Sequence, residues 1–485
     1  MTRTSTDFDV ADDQLQNSDR QFDSPFRRGL AITISALIVL VCVFAGLNYL
    51  QGPKLSSARI DAARAVLQPG QQLRLFVNQS IAAVKTKQVT VTPAVPFTVS
   101  TSGAIIAVQF SGRLDYATHY SVAVTGVKNT FQSRVSTFGY SFTTAPAQIY
   151  YLARADPASG QARVDSIIRA QVRGKVRRVV YSAPHIQQFA VFPQAIVVST
   201  LTPTGSSALS LVSLNNGFVE QLQLPGDGTV NQLAASAEAG IVGFVFTSSK
   251  AQSDIRSDER YAETLMTVDL TATHLVTPVL DLASKPLAVT NWVFLAASSR
   301  IVAHTPDDTV LLFDGAKPGT VVPLGQFTKL IGGSPDGLRV VVKDIFGLLA
   351  YSLADGTKTR LPSAPLAGSA TNGGDLALVG TGMTHVQQVT IFTPSVSSRY
   401  QTYLVYIKGT NSRILFETAN QAGSIEGFSV SPNGQYLAVA SVPDVSASVS
   451  DGYAVDPQST SISTSFVDIQ TGAIVSSVAG FETQW

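Results

Sequence analysis

Cysteine is almost missing from this sequence. The one copy, Cys42, lies inside an apolar run, so no intrachain disulfide and no cysteine-based metal cluster can form. Charge is scarce as well: Asp, Glu, Lys and Arg make up 14% of the chain, against about 25% in an average soluble protein. Ser, Thr, Gln, Asn and Gly must therefore cover much of the surface, which suits exposed β-structure better than charged helical bundles. Neither sign dominates. A net charge of +1 provides no overall field toward nucleic acid, and no nucleic-acid partner is expected. The five histidines (His119, His185, His274, His304 and His385) are isolated, without a partner at metal-ligand spacing. No H-E-x-x-H run, phosphate loop or G-x-S-x-G elbow occurs. No catalytic, metal-ligating or cofactor-binding residue is assigned, and no cofactor is expected.

Long apolar runs are equally rare, and only one stands out. From Gly29 to Leu50 the chain reads GLAITISALIVLVCVFAGLNYL without a charge, long enough as a helix to cross a hydrocarbon layer of about 30 Å. We expect one transmembrane helix over residues 29–50, acting as an uncleaved signal-anchor. The alternative is a cleaved signal peptide with its site near Val43-Phe44-Ala45. Arg27 and Arg28 precede the run directly and place the N-terminus in the cytoplasm, and the long domains behind the helix are translocated. The tail, residues 1–28, is polar, rich in aspartate and without apolar periodicity, and is expected to be disordered. Residues 51–69 read as a stalk, with a helix-like stretch from Ser56 to Leu67 that places Ile60, Ala63 and Leu67 on one side.

Residues 70–145 alternate in period two: LRLFV at 73, KQVTVTP at 87, FTVST at 97, AIIAVQF at 104, HYSVAVTGV at 119 and GYSFTT at 139. Such runs between Gly, Ser and Pro predict a small β-sandwich. The segment from Leu114 to Tyr120, with a Leu six residues before a Tyr, resembles the corner of fibronectin type III and bacterial Ig-like domains, in which the tyrosine hydroxyl bonds back to the backbone. The resemblance implies an Ig-like module, usually a spacer.

Residues 147–485 carry a repeat. Gly333-Ser334-Pro335-Asp336-Gly337 and Val430-Ser431-Pro432-Asn433-Gly434 each precede an apolar strand, and Pro, Asp or Asn, and Gly in that order specify a turn. Weaker copies stand at Ser236-Ala237-Glu238-Ala239-Gly240 and Asn372-Gly373-Gly374-Asp375. Outer hairpins recur at SLNNGFV (213), VDLTATHLV (268), LFDGAKPGTVV (312), SLADGTKTRL (352), YIKGTNSRILF (406) and VDIQTGAIV (467). This pattern resembles the WD-like repeat of bacterial β-propellers, including the propeller of the Tol-Pal envelope system. Residues 148–182 supply three strands without an inner one, and Gly480-Phe481-Glu482-Thr483 is in phase with the inner strand that begins at Gly427. We therefore expect seven blades closed by the C-terminal strand, with six as the alternative. The fold class is all-β.

Two charged features are candidate partner contacts. Arg173, Lys175 and Arg177, with Arg169 and Arg178, crowd the outer hairpin of the first blade. The insertion KAQSDIRSDERYAE at 250 carries Asp254, Arg256, Asp258, Glu259 and Arg260 in what reads as a long exposed loop. The expectation is a membrane-tethered, extracytoplasmic binding or scaffolding protein of a bacterial cell envelope whose propeller engages an envelope protein or polymer. The alternative is an envelope hydrolase or lyase working at the propeller channel, which predicts convergent Asp, Glu or His on inner strands at one mouth.

Overall fold

The structure is a computed structural model that describes residues 24–49, 52–130, 134–155, 164–249, 260–296, 298–314, 319–362, 371–393, 399–418, 422–453 and 455–485. The expected tail, apart from residues 24–28, lies outside these. Helix α1 runs Ser24–Tyr49. Its side chains are described from Arg28 to Val43, all exposed. Among the described residues no helix is long and apolar enough to cross a membrane.

Two sheets face each other in a β-sandwich. One orders its strands Leu55–Arg59, Gln72–Val77, Ile105–Phe110 and Phe97–Ser102, and the other Val89–Thr92, His119–Lys128 and Val135–Thr143. The inward residues of each alternating run, among them Leu73, Leu75, Ile106, Val108, Val122 and Val124, meet in one core. Tyr120 is fully buried in it, and its hydroxyl accepts a 3.1 Å hydrogen bond from the Asp115 N–H, pinning the bend that follows Leu114. The expected helix-like stalk is replaced by other structure. Leu55–Arg59 is a strand paired with Gln72–Val77, and only Arg64–Leu67 is helical. The buried residues of that turn are Ala65 and Val66, while Leu67 is exposed. Edge pairing and a neighbouring propeller surface decide this segment, and neither is present in its local periodicity.

Beyond the sandwich, seven four-stranded antiparallel sheets follow one another among the described residues. Their inner strands are, from blade 2 to blade 7, Ile186–Val191, Gly228–Ser236, Asn291–Phe294, Lys329–Gly333, Thr371–Leu378 and Ser424–Val430. Blade 1 is composed of Gln148–Ala153, Asp165–Gln171 and Arg177–Ala183 plus Phe481–Gln484, which pairs with Gln148–Ala153 as its inner strand. Consecutive inner strands touch from blade 2 round to blade 7, and Phe481–Gln484 touches blade 2 again, so the sheets close into a ring. This is a β-propeller.

The turns joining first and second strands repeat one bonding scheme. In blade 5 the Ser334 carbonyl accepts from Gly337 N–H at 2.9 Å, its hydroxyl accepts from Arg339 N–H at 2.9 Å, and Asp336 accepts from Leu338 N–H at 3.1 Å. In blade 7, Ser431, Asn433, Gly434 and Tyr436 repeat these roles. Gly337 has φ of +68°, and a Cβ there would lie 2.7 Å from the Ala296 carbonyl, so the turn requires glycine. The segment Asn372–Asp375 is not such a turn. It lies within the inner strand Thr371–Leu378, and the turn of blade 6 passes through Gly380, at φ +70°.

These turns form the face on which the sandwich sits. Tyr116 stacks on Tyr436 with centroids 6.2 Å apart, and Val66 and Tyr116 share a core with Ile149, Tyr151, Ala438 and Phe466 of blades 1 and 7. Tyr116 N–H donates to Gln435 Oε1 at 2.6 Å, Asn433 Nδ2 donates to the Leu114 carbonyl at 3.0 Å, and Gln68 Nε2 donates to Glu238 of blade 3 at 3.1 Å. Arg113 Nη1 reaches the carbonyls of Pro335 in blade 5 (3.4 Å) and Pro432 in blade 7 (3.2 Å). A single guanidinium bridging two non-adjacent blades must lie across the ring opening. The paired residues Leu55 and Val77 lie at the other end of the strands that carry Arg59 and Gln72 toward this interface, so residues 52–54 enter the sandwich at its end remote from the propeller.

Candidate functional site: the open face and the closure seam

With the turn face covered, the opposite face is the one that presents long connections. It carries the links from second to third strand and from outer strand to next blade. Ser249 and residues 260–263 of blade 3, and residues 443–453 and 455–462 of blade 7, belong to it. So does the two-residue tip Ile345-Phe346 between Arg339–Asp344 and Gly347–Ser352, 82% and 79% exposed. A hairpin tip ordinarily carries Asn, Asp or Gly. Here two bulky apolar side chains stand in water instead, with the Arg360 guanidinium 5.6 Å from the centre of the Phe346 ring.

The same face contains a buried polar clasp where the ring closes. Arg154, at the end of the second strand of blade 1, has a side chain only 3% exposed. Its Nη1 meets Asp451 Oδ2 at 2.7 Å and the Asp456 carbonyl at 3.0 Å, Nε and Nη2 donate to the carbonyls of Ile186 (3.1 Å) and Gln187 (3.2 Å), and the guanidinium packs on the rings of Tyr453 (4.2 Å) and Phe481 (5.0 Å). Asp165, fully buried, accepts from Ala155 N–H (2.9 Å), Ile186 N–H (2.8 Å) and the Tyr453 hydroxyl. Burial and Asp165 push the Tyr453 phenol up, so it stays a donor. Blades 1, 2 and 7 are thus clasped through one arginine and one aspartate, with the 443–462 insertion as the strap.

Beneath the strap, a cavity of about 280 Å³ opens between the inner strands of blades 7 and 1, with Glu426, Phe428, Ser429, Asp456, Gln458 and Glu482 in its wall. Glu482 as a residue is partly accessible, yet its Oε2 has no accessible surface and no hydrogen-bond partner. Burial first, then Asp456, pushes its carboxyl up to about 8, against a smaller opposing effect of Arg154 and the Phe189 N–H. Glu426 and Glu482 are the inner-strand acids that meet at this cavity, and no histidine joins them. No group of three His, Cys, Asp or Glu side chains suited to a metal occurs among the described residues.

The residues singled out from sequence fall elsewhere. Arg173 is tied to blade 7, donating to the Tyr436 hydroxyl at 2.9 Å and to Asp468 at 3.2 Å, and Arg177 donates to the Ser477 carbonyl at 3.2 Å. This outer hairpin stitches blade 1 to blade 7, and Lys175 is exposed beside it. Asp254, Arg256, Asp258 and Glu259 lie outside the described residues, and Arg260 is exposed at the edge of that connection. Arg28 is exposed on α1, and the Arg27 side chain lies outside the described ones. Three of the five histidines are tied into the propeller by hydrogen bonds. His304 is buried between Thr290 Oγ1 and the Phe327 carbonyl, both 2.8 Å away, and His385 is buried against the Met383 carbonyl at 2.8 Å. His274 links blades 2 and 3 through Glu220 at 2.9 Å, which pulls its pKa up. Arg154, Asp165, Asp451, Tyr453 and Glu482 carry no spacing signal. The one available hint was an acid in the closing strand at the phase where Ser429 stands in blade 7.

No family model matches the chain, and no curated protein matches it. Solved structures do. The β-propeller domain of the Trilobed protease from Pyrococcus furiosus is 10% identical, with 66% of this chain and 90% of that one covered and a TM-score of 0.44. TolB from Acinetobacter baumannii is 15% identical over 79% and 78%, with a TM-score of 0.34. An oligogalacturonate lyase from Vibrio parahaemolyticus is 12% identical over 67% and 98%, with a TM-score of 0.42. At these values the likeness says nothing about activity or ligand, and the propeller assignment rests on this chain's own ring of sheets.

Proposed function

We propose that the chain is a membrane-tethered binding or scaffolding protein of a bacterial cell envelope. In this reading residues 29–50 anchor it with the N-terminus in the cytoplasm, oriented by Arg27 and Arg28. The sandwich is an Ig-like spacer, and a WD-like, Tol-Pal-type propeller presents its open face to an envelope protein or polymer. The observation that carries the reading is the position of Arg113. A spacer that covers one mouth of the ring, and whose far end receives the tether, leaves the opposite face pointing away from the membrane. The anchor reading is motivated by the uncharged run from Gly29 to Leu50 in the sequence, and the Ig-like spacer reading by the bonded Tyr120 corner.

The test is photo-crosslinking in intact cells. A crosslinking residue at Ile345, Phe346, Val445 or Val449 should trap one discrete partner, and one on the sandwich, at Thr98 or Ser100, should not. Equal trapping from both ends defeats the reading. A reporter that works only in the cytoplasm, fused after Trp485, should be silent. An envelope hydrolase or lyase is the second reading, favoured by the raised carboxyl of Glu482 beside a cavity. It requires turnover of a glycan or peptide that disappears in Glu482→Gln.

A further inference from the structure

The basic side chains of blade 1 divide by the direction they take. Antiparallel pairing sets Gln484, Tyr150, Arg169 and Arg178 in one row across the four strands of the blade, so all four share a face. That face looks toward blade 2: Gln484 is bonded to Val191 and Phe189 there, and Tyr150 packs against the core shared with Ile196, Val198 and Val212. Arg177 pairs with Ala170, belongs to the other face and is tied to the Ser477 carbonyl of blade 7, as Arg173 is tied to Asp468. Arg169 and Arg178 are left over. Neither has an ion pair or a hydrogen bond among the described residues.

Two like charges directly opposite each other in a strand pair, their Cβ atoms about 4.5–5.5 Å apart, are destabilising. Charge on an outer strand protects its edge, but that role needs no second arginine on the strand behind it. The neighbouring blade supplies no counter-ion either: from Val179 to Val219, which covers the first three strands of blade 2, the chain has no Asp, Glu, Lys or Arg. Gln171, on the same face as Arg169, and Gln148 opposite it are exposed and add amide donors. We infer that Arg169 and Arg178 together bind the phosphodiester groups of an anionic polymer that runs along the flank of blade 1 facing blade 2. A carboxylate offers two coplanar oxygens, enough for one guanidinium fork, whereas the tetrahedral oxygens of a phosphodiester can be shared by two. Side chains on a blade face point around the ring, so they meet a chain laid between two blades before a flat lipid surface. Tyr150, the aromatic of the row, is packed into the core between the blades, which leaves no platform for the stacked bases of a nucleic acid. The flank is separate from the open face, so loss of polymer binding and loss of crosslinking at Ile345 are distinct failures.

The test is fluorescence anisotropy of labelled poly(glycerol phosphate) titrated with the full chain, beside labelled polygalacturonate, labelled oligothymidylate and vesicles of phosphatidylglycerol. Poly(glycerol phosphate) should bind most tightly of the four, and added salt should release it. Arg178→Glu should abolish binding without lowering the thermal midpoint, because it turns a like-charge pair with Arg169 into an opposite-charge one. An arginine with a merely structural role would lower that midpoint. Arg169→Lys with Arg178→Lys keeps both charges but loses the forks, and should weaken binding about tenfold. Arg177→Gln, on the other face, should leave binding unchanged. Absence of poly(glycerol phosphate) binding at low salt, undiminished binding by Arg178→Glu or by the double lysine variant, or a loss with Arg177→Gln as large as with Arg178→Glu overturns the inference. So does equal or tighter binding of polygalacturonate, the oligonucleotide or the vesicles.

Discussion

At the scale of single residues, Glu482 and Gly337 make the sharpest demands. The Glu482 carboxyl keeps its proton in the folded chain up to about 8, whereas in the unfolded chain it ionises near the ordinary glutamate value of about 4.3. A raised folded pKa means stability that is fully present below the unfolded value and lost as pH climbs through the folded one. The thermal midpoint should therefore fall between about pH 4.3 and 8, and Glu482→Gln should flatten that fall and stabilise the protein at pH 8. An unchanged slope would mean that the carboxyl is not buried as described. His274, raised by Glu220, adds a smaller loss of the same sign above about pH 6.5, because both partners are partly exposed and solvent screens them. His274→Gln separates the two. For Gly337→Ala, the left-handed backbone and the approach to Ala296 together predict a loss of about 1–3 kcal/mol in denaturant unfolding, with Gly356→Ala, in an uncrowded turn, losing less.

At the scale of elements, the strap of residues 443–462 is held by a pair that is nearly dry, Arg154 and Asp451, 3% and 4% exposed. Removing one member leaves the other buried and unpaired, so Arg154→Met should cost about 3–5 kcal/mol, while Arg154→Met with Asp451→Leu should recover part of it. Limited proteolysis within the strap reads the same event, faster in the single variant than in the double. The contrast also explains what could be read from the chain beforehand. Turns such as Ser431–Gly434 are legible because the bonds that shape them are local: the Ser431 carbonyl and hydroxyl and the Asn433 Oδ1 accept from N–H groups within five residues. The Arg154–Asp451 pair spans a separation of 297 residues, and neither position differs in type from an ordinary strand end. The Ser56–Leu67 stretch failed for a related reason. Its apolar spacing fits a helix, but pairing with Gln72–Val77 and the burial of Val66 against blades 1 and 7 overrode it.

At the scale of the whole molecule, the sandwich and propeller share a mixed interface built on Val66, Tyr116 and Tyr436 with Arg113 over the ring opening. Burial raises the Tyr116 phenol to about 12, so it remains neutral across the physiological range and its stacking on Tyr436 should be indifferent to pH there. Arg113→Ala with Tyr116→Ala should loosen the two bodies. Small-angle scattering should then report a larger radius of gyration, and calorimetric unfolding should show two transitions where the unsubstituted chain is expected to show one. Persistence of one transition with unchanged dimensions would place the coupling elsewhere. This interface was not legible beforehand. Arg113 reads as a surface charge in a loop, and only the folded ring brings the Pro335 and Pro432 carbonyls within its reach.

The way the ring closes has a consequence for how the chain is made. The innermost strand of blade 1 is Phe481–Gln484, synthesised last among the described strands, while its partner Gln148–Ala153 is among the first of the propeller to appear. Until then blade 1 presents Ile149, Tyr151 and Leu152 beside an unpaired edge, the arrangement most prone to wrong pairing with another chain. Docking of Ala147, Ile149 and Tyr151 against Val66 and Tyr116 gives that waiting blade a partner from a domain already complete. The sandwich thus covers part of the waiting blade before its inner strand arrives.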